Sequence, residues 1–251
     1  GYQSLTSNTT ASNNTALGYG AMAANSTGAD NTAVGSGALD AITTGSRCTA
    51  VGKSALGANT GNENTALGNR ALEDNTSGTG NVAVGHDALK DNTTALENTA
   101  IGNDCLRTNT TGAENVGVGA YALYTNNGDD NTAVGKSALY YNSTGDNNVA
   151  VGRNALADNT TGSGNIAIGM RCLDSNTTAS NNVAIGLDCM GANSTGADNV
   201  AIGANALNQN STGVNNTTVG YDAMRRCTTG YRNSCIGSYA GEDITTGKQN
   251  C

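Results

Sequence analysis

The chain has 251 residues and a formal net charge of −8, with 35 Gly, seven Cys and no Pro, Trp or Phe. An acidic balance argues against nucleic acid, where basic patches supply affinity, and no apolar run approaches the roughly 20 residues of a membrane span, so direct membrane insertion is not expected. With so few large side chains, the chain can fill only a thin core.

The order lies in a repeat. Asn148 to Gly164 reads N-V-A-V-G-R-N-A-L-A-D-N-T-T-G-S-G, and the same frame recurs from Asn14 to Asn250. Each unit opens on Asn, except that Cys48 stands there once, and steps are 17 residues apart from two of 16. A fixed period of this length predicts a parallel β-solenoid, or β-roll, of about fifteen coils. Both short units lose their residue around the Asn-Thr-Thr-Gly segment, at Asn59-Thr60-Gly61 and Asn126-Asn127-Gly128. That segment is therefore expected to be a turn, because a one-residue deletion within a strand would reverse its faces. The array is expected to run as one domain over 1–251. Both ends fall inside a repeat, so the chain reads as a slice of a longer protein.

Within a unit, the second and fourth positions are Thr/Val/Ile and Leu/Val/Ile, closed by Gly. β-Branched residues at alternate positions predict a short strand. The ninth position is Leu or Met, as in Leu39, Leu89, Leu156 and Met190. We expect two short strands per coil, with the second, fourth and ninth positions meeting across a narrow core. Ala at the third position, as in Ala33, Ala50, Ala83 and Ala150, would then face outward as a stripe packing against another chain or sheet. A register with Val151 inside and Arg153 in solvent follows.

Asn-x-Ser/Thr recurs at the turn: Asn8, Asn25, Asn75, Asn92, Asn109, Asn142, Asn159, Asn176, Asn193 and Asn210. These triplets fit an N-glycosylation acceptor. A stacked Asn ladder that satisfies turn backbone groups is enough to explain the pattern, and both can hold in a eukaryotic protein whose turn faces outward. Cys172 and Cys189 fall at the same repeat position one coil apart, a spacing a disulfide tolerates, or they replace Ala as small buried residues. Tyr121, Tyr124, Tyr140 and Tyr141 sit at free positions in adjacent coils. With Tyr124 and Tyr140 at equivalent positions, they are either a ring ladder covering backbone or a contact patch for a glycan or partner protein. The single His86 occupies a free position that elsewhere holds Lys or Asn. No nucleophile, acid and base converge, and no calcium-type G-G-x-G-x-D repeat occurs. Neither an enzyme nor a metal or cofactor site is expected.

The strings N-T-A-V-G and N-V-A-I-G, with G-x-x-A-L and N-T-T-G, resemble repeats in the head domains of trimeric autotransporter adhesins and similar repeats in phage tail fibres. The likeness spans essentially the whole chain, although adhesin repeats are usually shorter and poor in Cys. It implies a left-handed parallel β-roll, often trimeric, on an extracellular, virion or cell-surface fibre that binds a surface.

The expected function is a structural or adhesive stalk or head segment of such a fibre. Its partners would be further copies, as a homotrimer or filament, and a host-surface glycan or protein. A subunit of a larger Cys-cross-linked, glycosylated filament is the alternative. Ice binding ranks below both, because Thr-Thr falls in a turn of variable length.

Overall fold

The computed structural model describes residues 1–250; Cys251, the seventh cysteine, lies outside them. Two compact units are present, Gly1–Asn127 and one beginning at Gly128. The first holds β1 (Thr15–Leu17), β2 (Thr32–Val34), β3 (Thr49–Val51), β4 (Thr65–Leu67), β5 (Val82–Val84), β6 (Thr99–Ile101) and β7 (Val116–Val118). The second holds β8 (Thr132–Val134), β9 (Val149–Val151), β10 (Ile166–Ile168), β11 (Val183–Ile185), β12 (Val200–Ile202), β13 (Thr217–Val219) and β14 (Ser234–Ile236). Within each unit, every strand pairs in parallel and in register with the next, as Thr32↔Thr49 and Val183↔Val200 show. This is a β-solenoid, as the period predicts. The 16-residue step leaves the pairing intact, with Thr49 opposite Thr65, so the missing residue does come from the turn.

The number of strands per coil differs from expectation: there is one, of three residues. The Gly-x-x-Ala-Leu segment is an arc of turns. Positions 7 and 9 have left-handed backbone, at φ 55° for Ser54 and 53° for Leu56. Amides at even positions bond three residues back within the coil, Ala55 to Gly52 at 3.4 Å and Asn59 to Leu56 at 3.2 Å. Amides at odd positions bond between coils, Ser54 back to Ser36 at 2.9 Å and Leu56 onward to Ala71 at 3.0 Å. Each left-handed Leu costs on the order of 1 kcal/mol, offset by full burial of its side chain. The Gly that ends the strand is required twice over: Gly52 has φ 141°, and a Cβ there would lie 2.2 Å from the carbonyl oxygen of Gly68 in the next coil.

The faces of the strand are also the reverse of expectation. From β2 onward, Ala at the third position is fully buried, Ala33, Ala50, Ala83 and Ala150 among them. The larger second and fourth residues point outward: Val151 is half-buried, Leu67 is 48% exposed and Leu17 63%. Arg153 is exposed as expected. The core of each coil is Ala at positions 3 and 8, Leu or Met at 9, and two asparagines. A 17-residue perimeter that already encloses Leu and two carboxamides has no room for a second row of branched side chains, so the small residue turns inward. The Ala stripe is therefore interior and is not an association surface.

Volume is conserved where the frame varies. Cys105 exceeds the usual Ala at position 8, and Gly117 replaces Ala at position 3 one coil on; a Cβ on Gly117 would lie 2.6 Å from Cys105 Sγ. Cys235 at position 3 is matched by Gly241 in place of Leu, again with 2.6 Å to a built Cβ.

Candidate interaction surfaces

The recurrent Asn residues face inward as two buried ladders. The opening Asn donates its backbone N–H to the Oδ1 of the preceding coil's Asn, as Asn148 does to Asn131 at 3.0 Å. Its Nδ2 donates to the Gly carbonyl that closes its own coil, Asn148 to Gly162 at 2.9 Å. The turn Asn donates to the same carbonyl, Asn159 to Gly162 at 2.9 Å, and to its predecessor, Asn159 to Asn142 Oδ1 at 2.7 Å. One carbonyl thus clasps both amides. Asn25, Asn75, Asn92, Asn109, Asn142, Asn159, Asn176, Asn193 and Asn210 are fully buried, and only Asn8 among the ten acceptor triplets is exposed. A glycan on any of those nine would have to leave the ladder, so in the folded chain their amides are structural.

The ladder also records its faults. Ile42 and Cys227 stand where the turn Asn belongs, and the preceding amides, Asn25 Oδ1 and Asn210 Oδ1, are left buried without a hydrogen-bond partner. Cys48, replacing an opening Asn, partly restores the clasp by donating Sγ–H to Gly61 O at 3.3 Å.

Cys172 and Cys189 are buried free thiols. Burial raises the Cys105 thiol to about 12. In the first unit the Tyr121 and Tyr124 rings lie 6.0 Å apart, inclined at 54°, and both are half-buried. Arg107 Nη1 reaches the Tyr124 hydroxyl at 3.5 Å. In the second unit Tyr140 and the exposed Tyr141 meet edge to face at 4.4 Å.

His86, Asp87 and Asp104 bring three ligand-type atoms within 4.8 Å of one another. The carboxylates already have cations. Arg70 grips Asp87 in a fork at 2.9 and 2.7 Å, and Arg107 Nη1 lies 3.3 Å from Asp104. The trio is one link in an inter-coil ion-pair network. Among the described residues there is no pocket and no helix long and apolar enough to cross a membrane.

The surface that sequence reasoning missed is the outward face of the strands. Across β1–β14, no second or fourth position carries a charge, although the chain has 12 basic and 20 acidic residues. Leu17, Leu67, Ile101, Val116, Val134, Ile168, Ile202 and Ile236 are all exposed there. Within each unit these exposed aliphatics fall in rows along the stacked strands, which makes that face the apolar part of the surface. The signal was available: the second position accepts Thr and Ser freely, as a buried apolar position does not, while the third holds only small residues. No family model, curated protein or solved structure matches the chain.

Proposed function

We propose that this chain is a structural and adhesive segment of an extracellular fibre, associating with further copies of itself through the outward strand face. The observation that carries the reading is the uncharged row at positions 2 and 4. A molecule of net charge −8 repels its copies, and this face is where two copies approach with least repulsion. The side chains repeat at the coil spacing of ~4.8 Å, and a second copy offers ridges and grooves of the same period. The tyrosine pairs fit a second role as contact points for a glycan or protein on the surface to which the fibre attaches. Sedimentation velocity of the wild type and of Val151→Asp/Ile168→Asp is the test. An oligomer that the variant converts to monomer with an unchanged circular dichroism spectrum supports the proposal, and a wild-type monomer at tens of micromolar overturns it.

One observation favours a second reading. Thr15, Thr32, Thr49 and Thr65 fall in one outward row beside Leu17, Val34, Val51 and Leu67. This regular array of hydroxyl and methyl groups lies on a strand face, not in the turn, and is the kind of lattice that orders water. Thermal hysteresis in the wild type that Thr32→Lys/Thr49→Lys abolishes would favour ice binding over self-association.

A further inference from the structure

Cys172 and Cys189 hold the eighth position of consecutive coils, where Ala is usual. Their coils are in register through β10, β11 and β12, and both side chains are fully buried. Each thiol donates in the same direction, to the strand carbonyl of the next coil: Cys172 to Ala184 O at 3.1 Å and Cys189 to Ala201 O at 3.2 Å. The sulfurs therefore stack. A hydrogen bond with Cys189, followed by burial, holds the Cys172 thiol protonated well above its ordinary value. Equivalent positions in adjacent coils put the two Cα atoms near the ~4.8 Å strand spacing, inside the roughly 4.4–6.8 Å that a disulfide accepts. Cys105 holds the same position in the first unit, but the eighth positions on either side of it are Ala88 and Ala122.

We propose that Cys172 and Cys189 are a modification site, a thiol pair that closes into an inter-coil disulfide when these coils fold in the presence of a small-molecule disulfide. Once the coils have closed, the buried thiols are poor nucleophiles, so the bond forms while they are open. One thiolate attacks oxidised glutathione, giving a mixed disulfide and releasing one glutathione thiol. The second thiolate then attacks the protein sulfur of that mixed disulfide and releases the other. Two protein S–H bonds are exchanged for one S–S bond, and the glutathione disulfide takes up the two electrons. The product closes a loop whose ends are 17 residues apart in sequence, constraining the open state of this stretch.

The full chain, unfolded in urea with reductant, is refolded either in a glutathione redox buffer or in dithiothreitol. The glutathione sample is expected to yield the Cys172–Cys189 cross-linked peptide and two fewer titratable thiols. Exchange of the Leu173 amide, which donates to Cys189 O at 3.0 Å, should slow by roughly tenfold or more relative to the dithiothreitol sample. Cys172→Ala and Cys189→Ala restore the common residue and should each abolish the cross-link, while Cys105→Ala leaves it intact. A folded glutathione sample in which the two cysteines remain free, or pair with other cysteines, overturns the proposal.

Discussion

The strand and the arc of a coil are built from similar residues and use them in opposite ways. In the strand, Val149-Ala150-Val151, the small residue is inside and the large ones face out. In the arc, Asn154-Ala155-Leu156-Ala157, the large residue is inside with its backbone turned left-handed. Side-chain hydrophobicity does not decide which of two apolar positions is buried; the perimeter of the coil does. The arc delivers the Leu, the two clasped asparagines take the corners, and the strand can supply only an Ala.

The largest test of this contrast exchanges the two faces. Ala150→Glu and Leu156→Asp each place a charge in a dry core and should cost about 4 kcal/mol or more, read as loss of the cooperative thermal transition around those coils. Val151→Asp, on the outer face, should cost less than about 1 kcal/mol of the fold while still disrupting association. Equal damage from Val151→Asp and Leu156→Asp would erase the distinction. Next in size, Leu89→Ala should cost about 2–5 kcal/mol by leaving a cavity, measured by urea denaturation. Gly117→Ala should cost about 1–3 kcal/mol through overpacking on Cys105, and Cys105→Ala added to it should restore most of the loss; additivity in that double-mutant cycle would show that the two do not compensate.

Two smaller effects carry a favourable sign. Cys227→Asn supplies the missing donor to Asn210 Oδ1, and Ile244→Asn made with it carries the ladder on to the half-buried last coil, so that the new amide's own Oδ1 is not orphaned in turn; the pair should stabilise by about 1 kcal/mol, seen as a higher urea midpoint. Asp174 is raised from its ordinary 3.8, first by burial and then by Asp158 and Asp188. The folded chain therefore holds that proton more tightly than the unfolded chain, and ionisation at higher pH costs stability. Asp174→Asn should stabilise at neutral pH, with the gain fading as pH falls through the raised value toward 3.8.

The period, the parallel stacking and the turn carrying the deletions were all legible in the sequence, because each is written once per 17 residues. The inward face was not. Reading β-branched positions as core follows a rule that holds in one direction only, since folded proteins keep much apolar surface in water. Position 3 carried the better evidence, in the invariably small Ala, Gly, Thr and Cys. The second strand failed for a different reason: Ala-Leu gives no sequence sign of left-handed backbone, which this arc adopts because Leu must reach the centre. The asparagines were legible as a ladder, and the depth of that ladder is what takes the asparagines of nine acceptor triplets out of the solvent. The stacked Cys pair was legible from spacing alone, whereas the tyrosine pairs needed side-chain geometry.

The clasp at the closing glycine has one further consequence. Asn64 and Asn75 bond Gly78, Asn148 and Asn159 bond Gly162, and Asn199 and Asn210 bond Gly213, the same chemistry in three separate coils. The upper side of a clasped coil therefore fits the lower side of any other. Gain or loss of one whole clasped coil between two others leaves both ladders unbroken.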